Sequence, residues 1–212
     1  MSKVRVHISV SADGYVAGPN QSIENPLGKG GESLHDWVVA LRAWREPHGL
    51  KGGEVNASNA VVEESRANVG AEIMGRGKFG GGPGPWGEPL WRGWWGEEPP
   101  FHMPVFVLTR HAREPLTLAD TTFTFVTDGI DSALEQARAA ADGKDVFIGG
   151  GASVINQYLA AGLVDELELS ILPLVLGGGA RLFEGVGPDL QLEQIRAVDA
   201  PGVTHLKYRV VK

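Results

Sequence analysis

Residues 145–183 contain the groups best suited to bind an anion. Three apolar residues at 146–148 form a run too short for a helix, and three glycines at 149–151 follow it directly. Glycine permits turns that residues with a Cβ resist, and it lets a ligand approach the backbone closely. Apolar residues at helical spacing follow from Ser153 onward, so free N–H groups at the positive end of a helix would face this turn. The order favours a phosphate site, although plain tight turns share it.

Three further segments place suitable groups after a probable strand, at residues 13–17, 75–78 and 109–111. In open α/β sheets the ligand crevice lies beyond the carboxyl ends of the strands, so we expect all four segments to converge there. Arg76 and Lys78 would attract a pyrophosphate, unless they form a solvated surface pair. Thr109 and Arg110 offer a hydroxyl and a guanidinium for a ribose 2′-phosphate. The four strand ends together indicate a dinucleotide site.

The elements that must position these groups alternate between strands and helices and end in strands alone. Helices are predicted near residues 34–44, 60–67, 133–141 and 154–159, and residues 190–198 and 204–211 form a closing antiparallel hairpin. This order predicts a three-layer α/β fold, with a mixed, mostly parallel sheet of about eight strands flanked by helices. Residues 80–104 carry four of the six tryptophans, which predicts an ordered loop that packs over the site.

Composition narrows the class of protein. A length of 212 residues corresponds to a single domain, residues 1–212. The net charge of −7 argues against a nucleic-acid or anionic-membrane surface. The sequence has no cysteine, and its six histidines lack HExxH or clustered spacing, so no metal site is predicted. The start MSKVRVHISV lacks a signal-peptide core and no apolar run approaches membrane-spanning length, so we expect a cytoplasmic protein.

The four segments together resemble the dihydrofolate-reductase-like superfamily, and in particular relatives of the riboflavin-pathway reductase C-terminal domain. The resemblance is carried by SVSADGYVAG, IMGRGKF, PPFHMPVFVLTRH and the strand–glycine–helix segment from Asp145 onward, which occur in the family's order over nearly the whole chain. It implies a dihydrofolate-reductase-like fold, NADPH as the cofactor, a small heterocyclic substrate, and a homodimer assembled through the C-terminal strands.

The resemblance assigns cofactor contacts to four groups of residues. Val16 and Ala17 match the segment that lies against the nicotinamide carboxamide. Thr109 and Arg110 match the pair that recognises the 2′-phosphate, which favours NADPH over NADH. A Gly-Arg-x-Thr phosphate motif, with lysine in place of threonine, is matched by Gly75, Arg76, Gly77 and Lys78. The glycine turn on the cofactor phosphates is matched by Gly149, Gly150, Gly151, Ala152, Ser153 and Val154.

The residues that would handle the substrate are less determined. Reduction of a C=N bond needs a proton, and Asp36 stands where folate reductases place an acid near the start of the first helix. Ser33 and Asp36 also fit a capping pattern, in which Ser33 is the N-cap and Asp36 merely satisfies the helix start. Asp13 and His102 are the candidate substrate contacts. Asp13 would more simply shape its own turn, and His102 would more simply make a structural hydrogen bond.

The sequence does not decide which of two ring systems the substrate contains. Riboflavin-type reductases carry a glutamate just before the glycine turn, where this chain has Gly149. The triple glycine resembles folate reductases, whereas residues 173–179 resemble the riboflavin branch. The main hypothesis is an NADPH-dependent reductase of a ribosylaminopyrimidine or a pterin. The alternatives are a true dihydrofolate reductase and an NADPH-binding module without catalysis; the lack of an early GxGxxG disfavours a Rossmann protein.

Overall fold

The computed structural model describes residues 2–212, and a nine-stranded mixed sheet forms its centre. Its order is β10-β11-β8-β1-β7-β3-β4-β6-β5, and β2 and β9 form a separate antiparallel pair. The strands are β1 (Val4–Ser11), β2 (Tyr15–Ala17), β3 (Val69–Gly75), β4 (Val105–Leu108), β5 (Leu116–Leu118), β6 (Thr121–Val126), β7 (Asp145–Gly150), β8 (Glu166–Leu172), β9 (Ala180–Arg181), β10 (Gln191–Ala200) and β11 (Val203–Val211). The predicted mixed sheet and closing hairpin are confirmed, with nine strands instead of about eight.

Strand direction explains where the sheet can bind a ligand. Strands β8, β1, β7, β3, β4 and β6 run parallel to one another, so their carboxyl ends share one edge of the sheet. Within residues 2–212, the antiparallel pairs of this sheet lie at its two ends: β10 with β11, β11 with β8, and β5 with β6. The parallel centre therefore gathers the loops that follow β1, β3, β4 and β7, and these loops contain the four segments identified in the sequence.

Three longer α-helices and three single-turn α-helices accompany the sheet within residues 2–212, besides 3₁₀ turns at Gly31–Leu34 and Glu46–His48. They are α1 (Asp36–Val39), α2 (Arg42–Arg45), α3 (Ala57–Arg66), α4 (Arg76–Phe79), α5 (Ile130–Ala140) and α6 (Ala152–Ala160). The helices predicted near residues 60–67, 133–141 and 154–159 are confirmed as α3, α5 and α6. In the part of the chain described, no helix combines the length and apolarity needed to cross a bilayer.

The single helix predicted over residues 34–44 is wrong. The chain forms a 3₁₀ turn at Gly31–Leu34 and then α1 and α2, which are separated where Leu41 adopts an extended backbone. Leu41 forms an isolated bridge with Glu54, and this pairing interrupts the helix. Ser33 lies inside the 3₁₀ turn and His35 is the N-cap of α1 without a side-chain bond, so the capping prediction is also wrong. The apolar spacing there reflects burial, because Leu34 and Leu41 are both buried.

The two faces of the sheet differ in polarity because the residues of β1 alternate. Val4 and Val6 point into the apolar core, which also contains the buried faces of α5 and α6. Arg5 points to the opposite face and donates to the backbone carbonyls at the end of α3, of Glu64 and Ala67, at 2.8 Å each. The polar face is thus covered by α3 and by the segment around α1 and α2, and it supplies part of the floor of the cleft described below.

Candidate functional site

One cleft of about 1460 Å³ opens at the carboxyl ends of the parallel strands. This exceeds the roughly 300–1,000 Å³ of a typical single-ligand pocket. Members of all four predicted segments line it: Val16, Ala17, Gly75, Arg76, Gly77, Lys78, Thr109, Arg110, His111, Gly149, Gly151, Ala152, Ser153 and Val154. The structure therefore brings these groups together around one space, as the shared edge of parallel strands requires.

The turn between β7 and α6 presents backbone groups to the cleft. Gly150 is buried at the base of the turn with φ +101°, a conformation that L side chains rarely adopt. Gly151 is the N-cap of α6, and a Cβ added there would meet no atom within 4 Å. The first N–H groups of any helix lack partners inside the helix, and its positive end favours anions. The turn and the start of α6, including Ala152 and Ser153, therefore form an open cradle for a phosphate.

Arg110 and Arg76 differ in how far their guanidinium groups are already engaged. Arg110 is exposed at the cleft and makes no hydrogen bond or ion pair with any described residue. Arg76 instead donates to the carbonyls of Gly81 and Gly84 at 3.1 Å each, and it stacks on Trp86 with its Cζ 3.3 Å from the ring centroid. Arg110 is thus available to a phosphate, whereas the predicted phosphate contact of Arg76 would compete with the bonds that hold the following loop.

Lys78 is engaged as well, by a residue that lies outside the four sequence segments. Its Nζ donates to Oε1 of Glu72 at 2.8 Å, and both residues line the cleft. A Cβ at Gly149 would lie 2.0 Å from Glu72 Oε1 and 2.6 Å from Lys78 Nζ, so the ion pair fills the space that a side chain at 149 would need. Glu72 escapes detection in the sequence, because it lies within a strand and only the pairing of β3 with β7 places it beside the glycine turn.

The tryptophan-rich loop packs against the sheet, in line with its composition. The ring N–H groups of Trp86 and Trp91 donate to the carbonyls of His111 and Phe79 at 2.8 Å each. Trp86, Trp91 and Trp95 pack against a buried aromatic cluster that includes Phe79. Trp94 and Trp95 reach the cleft. The loop is therefore a wall fixed to the sheet, and its aromatic rings border the ligand space.

Asp36 and Asp13 do not line the cleft. Asp36 is exposed at the start of α1, between His35 and Trp37, which do line the cleft. Asp13 accepts hydrogen bonds from the Ser11 hydroxyl at 2.6 Å and from the backbone N–H groups of Leu176 and Gly177 at 3.1 and 2.7 Å. These bonds, led by that of Ser11, hold the pKa of Asp13 below its ordinary value. The structure thus supports the turn-shaping interpretation of Asp13, and neither carboxylate is among the residues that line the cleft.

Two histidines that line the cleft, His7 and His102, are held by other side chains. His102 lines the rim, where its Nδ1 lies 2.8 Å from the carboxylate of Asp120. His7 lines the floor and shares a hydrogen bond of 2.7 Å with Ser170, which in turn lies 2.8 Å from Nδ1 of His205. Burial lowers the pKa of His7 and of His205 to about 4, so both are neutral near pH 7 and neither supplies a cationic acid there. Within residues 2–212, no His, Asp or Glu cluster is arranged to hold a metal ion.

The nine-stranded sheet, its parallel centre and the cleft at the strand ends define the class of dihydrofolate-reductase-like α/β proteins. A model of the RibD C-terminal domain matches residues 2–204 of the chain. The chain therefore belongs to the RibD C-terminal domain family, and the resemblance found in its motifs is confirmed.

Two similar proteins match part or all of the chain. The uncharacterised protein YyaP of Bacillus subtilis (strain 168) is 36% identical over 90 residues, which is 42% of this chain and 47% of that protein. The chain thus matches about half the length of this curated relative. A solved structure of a putative riboflavin biosynthesis protein from Shewanella sp. PV-4 superimposes with a TM-score of 0.64 at 21% identity, covering 99% of both chains.

Two further solved structures extend the comparison to named reductases. The diaminohydroxyphosphoribosylaminopyrimidine deaminase/5-amino-6-(5-phosphoribosylamino)uracil reductase of Thermotoga maritima gives a TM-score of 0.62 at 14% identity, covering 99% of this chain and 57% of that one. Dihydrofolate reductase from Enterococcus faecalis, complexed with NADP(H), gives 0.53 at 12% identity, covering 99% and 97%. At these identities the structures establish the shared fold alone.

Proposed function

We propose that the protein is an NADPH-dependent reductase that acts on a small nitrogen heterocycle of the ribosylaminopyrimidine or pterin type. One observation carries the proposal: the glycine turn before α6, the unengaged Arg110 and the pair Val16–Ala17 all line a single cleft. Membership of the RibD C-terminal domain family supports it, as do the names of the structures that share the fold.

The residues present fit a phosphorylated dinucleotide. The N–H groups at the start of α6 would hold the pyrophosphate, because they are unpaired within the helix and a Cβ at Gly151 would meet open space. Arg110, exposed and free of protein partners within residues 2–212, would bind the ribose 2′-phosphate beside Thr109. Val16 and Ala17 would lie against the carboxamide. When bound, the reduced nicotinamide supplies the hydride.

The remaining walls of the cleft would orient a planar ring and exclude water. Trp95 and Phe101 line one side, and Trp37 lines the cleft with its ring N–H fixed to Ser9 Oγ at 3.0 Å. Fixed aromatic surfaces would hold the nicotinamide and the substrate ring face to face, in the orientation that hydride transfer requires. Asp36 lies outside the cleft, so the proposal gives it no part in proton transfer. Glu72 is a carboxylate that does line the cleft.

We also propose that the protein forms a homodimer through its C-terminal strands. Strand β10 lies at the edge of the nine-stranded sheet, and Ile195 on β10 is 42% exposed while Val211 on β11 is 46% exposed. An uncovered edge strand with apolar residues is a surface that proteins commonly cover. Light scattering of the purified protein should give twice the mass of one chain, and a monomer at micromolar concentration would exclude the dimer.

The proposed function is tested by titrating the protein with NADPH and NADH while following tryptophan fluorescence. We expect selective binding of NADPH, followed by loss of its absorbance when pterin or aminopyrimidine substrates are added. Arg110→Ala should weaken NADPH binding by about 1–3 kcal/mol and hardly change NADH, because one charge-assisted bond to the 2′-phosphate is lost. If NADPH binds but no such ring is reduced, the protein is a cofactor-binding module without catalysis. If Arg110→Ala weakens NADPH and NADH binding equally, Arg110 does not contact the 2′-phosphate.

A further inference from the structure

Glu72 and Lys78 form an ion pair in the cleft that the proposed cofactor contacts leave unexplained. The Glu72 side chain is 9% exposed and that of Lys78 is 31% exposed, and both reach the cleft. Moving such a pair out of water costs about as much as the mutual attraction returns, so stability alone is a weak reason to place it there. A carboxylate held at a ligand space suggests recognition instead.

The pair occupies the place of the side chain that position 149 lacks. Glu72 lies opposite Phe147 in the pairing of β3 with β7, and Phe147 and Gly149 are two residues apart on one face of β7. A Cβ at Gly149 would come within 2.0 Å of Glu72 Oε1. The absence of a side chain at Gly149 therefore makes room for Glu72, and the carboxylate from the neighbouring strand β3 occupies that space.

The surroundings of the pair suit a flat ring. Nζ of Lys78 lies 5.9 Å from the ring centroid of Phe101, and Phe101 and Phe147 both line the cleft. An ionised carboxylate only accepts hydrogen bonds, whereas an ammonium group has three donors. Glu72 therefore offers acceptor positions, and Lys78, which spends one donor on Glu72, keeps two more. Acceptor and donor stand side by side at 2.8 Å.

We propose that Glu72 and Lys78 recognise the edge of a cyclic amide in which a ring N–H stands beside a C=O. The carboxylate accepts from the ring N–H and the ammonium donates to the carbonyl oxygen, so one pair reads both groups. This inference rests on the proposed function, because it names the substrate class of the same cleft. A ring that lacks the N–H leaves a carboxylate without its partner, which is the basis of strong discrimination.

The test uses lumazine, which carries such edges, and 1,3-dimethyllumazine, which lacks the N–H groups. Binding to the full chain saturated with NADP⁺ is followed by fluorescence. We expect the wild-type protein to bind lumazine at least about tenfold more tightly than the dimethyl compound. Glu72→Gln should weaken lumazine about 10- to 100-fold while leaving the dimethyl compound and NADPH unchanged. Glu135→Gln, the same change at an exposed site on α5, is the matched control and should alter none of the three.

A second variant separates recognition from a purely structural ion pair. The double change Glu72→Leu with Lys78→Met removes donor and acceptor together and replaces the ion pair with apolar groups of similar size. We expect it to retain most of the wild-type Tm while losing the preference for lumazine over the dimethyl compound; a retained preference would overturn the proposal. Wild-type lumazine affinity in Glu72→Gln, or equal binding of both rings by the wild-type protein, would overturn it too. Failure to bind NADPH would count against the proposed function alone, since the lumazine titrations can be run without cofactor.

Discussion

Two identical glycine tripeptides lie at or after the ends of the two strands that flank β1, and their surroundings in the structure differ. Strand β7 ends in Gly149 and Gly150, and Gly151 follows directly. Gly177, Gly178 and Gly179 follow β8, and β7 and β8 pair with the two sides of β1. A Cβ at Gly151 would meet nothing within 4 Å, whereas one at Gly179 would lie 2.1 Å from the backbone oxygen of Ala17. Gly151 in the first tripeptide leaves space open at the cleft, whereas Gly179 in the second is packed against backbone.

The difference shows that a run of glycines indicates where another group lies close to the backbone, but it does not identify that group. In the first tripeptide the approaching groups are the flexible ends of Glu72 and Lys78, beside an open cradle at the start of α6. In the second they are the backbone of residues 17–18 and the carboxylate of Asp13. The first is suited to a ligand and the second to fixing β2 against the loop after β8. Single substitutions can test this division.

Gly179→Ala should have the largest effect on stability. Gly179 has φ +117°, and its new Cβ would meet backbone atoms of Ala17 and Gly18 that cannot move aside. We expect a loss of about 3 kcal/mol in the free energy of unfolding, measured by urea denaturation. Gly178→Ala is the control, since its nearest neighbour is Pro19 Cβ at 3.8 Å and it should be close to neutral. Similar stability of both variants would contradict the packing role of the second tripeptide.

Asp13→Asn should have a smaller effect that depends on pH. The folded protein holds the pKa of Asp13 below 3.8, so its contribution is present above pH 3.8 and is lost as the pH falls below that value. We therefore expect the Tm of the variant to be lower than wild type near neutral pH and the gap to narrow in acid. Thermal melts at about pH 7 and about pH 3 measure the gap. A gap that stays constant would show that the charge of Asp13 does not hold the second tripeptide.

Gly149→Ala should cost less than Gly179→Ala, because the atoms it meets are the movable ends of two side chains. We expect a loss of about 1 kcal/mol or less in stability, and a smaller loss of NADPH affinity than of lumazine affinity, because the new Cβ meets Glu72 and Lys78 and leaves the N–H groups at the start of α6 in place. Displacement of Glu72 should nevertheless weaken lumazine binding. The two titrations and a denaturation curve on the same variant separate these effects, and a large loss of stability would show that the space is packed as tightly as at Gly179.

Gly151→Ala should have the smallest effect on stability, within about 0.5 kcal/mol, since its Cβ meets open space and its φ is −69°. The same Cβ would project where a phosphate is proposed to approach the backbone. NADPH binding should therefore weaken while the Tm stays unchanged. Unaltered NADPH affinity would show that Gly151 is not part of the proposed phosphate site.

Much of the fold was predictable from local pattern. Strands Val105–Leu108 and Glu166–Leu172 have the bounds that their apolar runs suggest, and the alternation in β1 matches its two faces. The helix predicted over residues 34–44 failed because the pairing of Leu41 with Glu54 is a contact between distant residues that periodicity cannot express. The two-residue strand β9 escaped for a similar reason, since it exists only through its pairing with β2.

The convergence of the candidate site followed from strand order, but its side-chain contacts did not. That residues 75–78, 109–111 and 149–154 meet at one edge is a consequence of parallel strands, which the alternation of strands and helices already implies. The engagement of Arg76 by the tryptophan-rich loop depends on where that loop folds back. Residue type alone made Arg76 and Arg110 equivalent candidates for phosphate binding.

The sequence by itself determined the glycine positions, the strands with their polar and apolar faces, and the family, because these depend on residue type and short spacing. The tertiary structure decided which glycines face a cleft and which face backbone, and it placed Glu72 in the space beside Gly149. The physical reason is that a glycine only permits a close approach. The group that makes the approach comes from another strand or loop, and only the assembled sheet fixes which one it is.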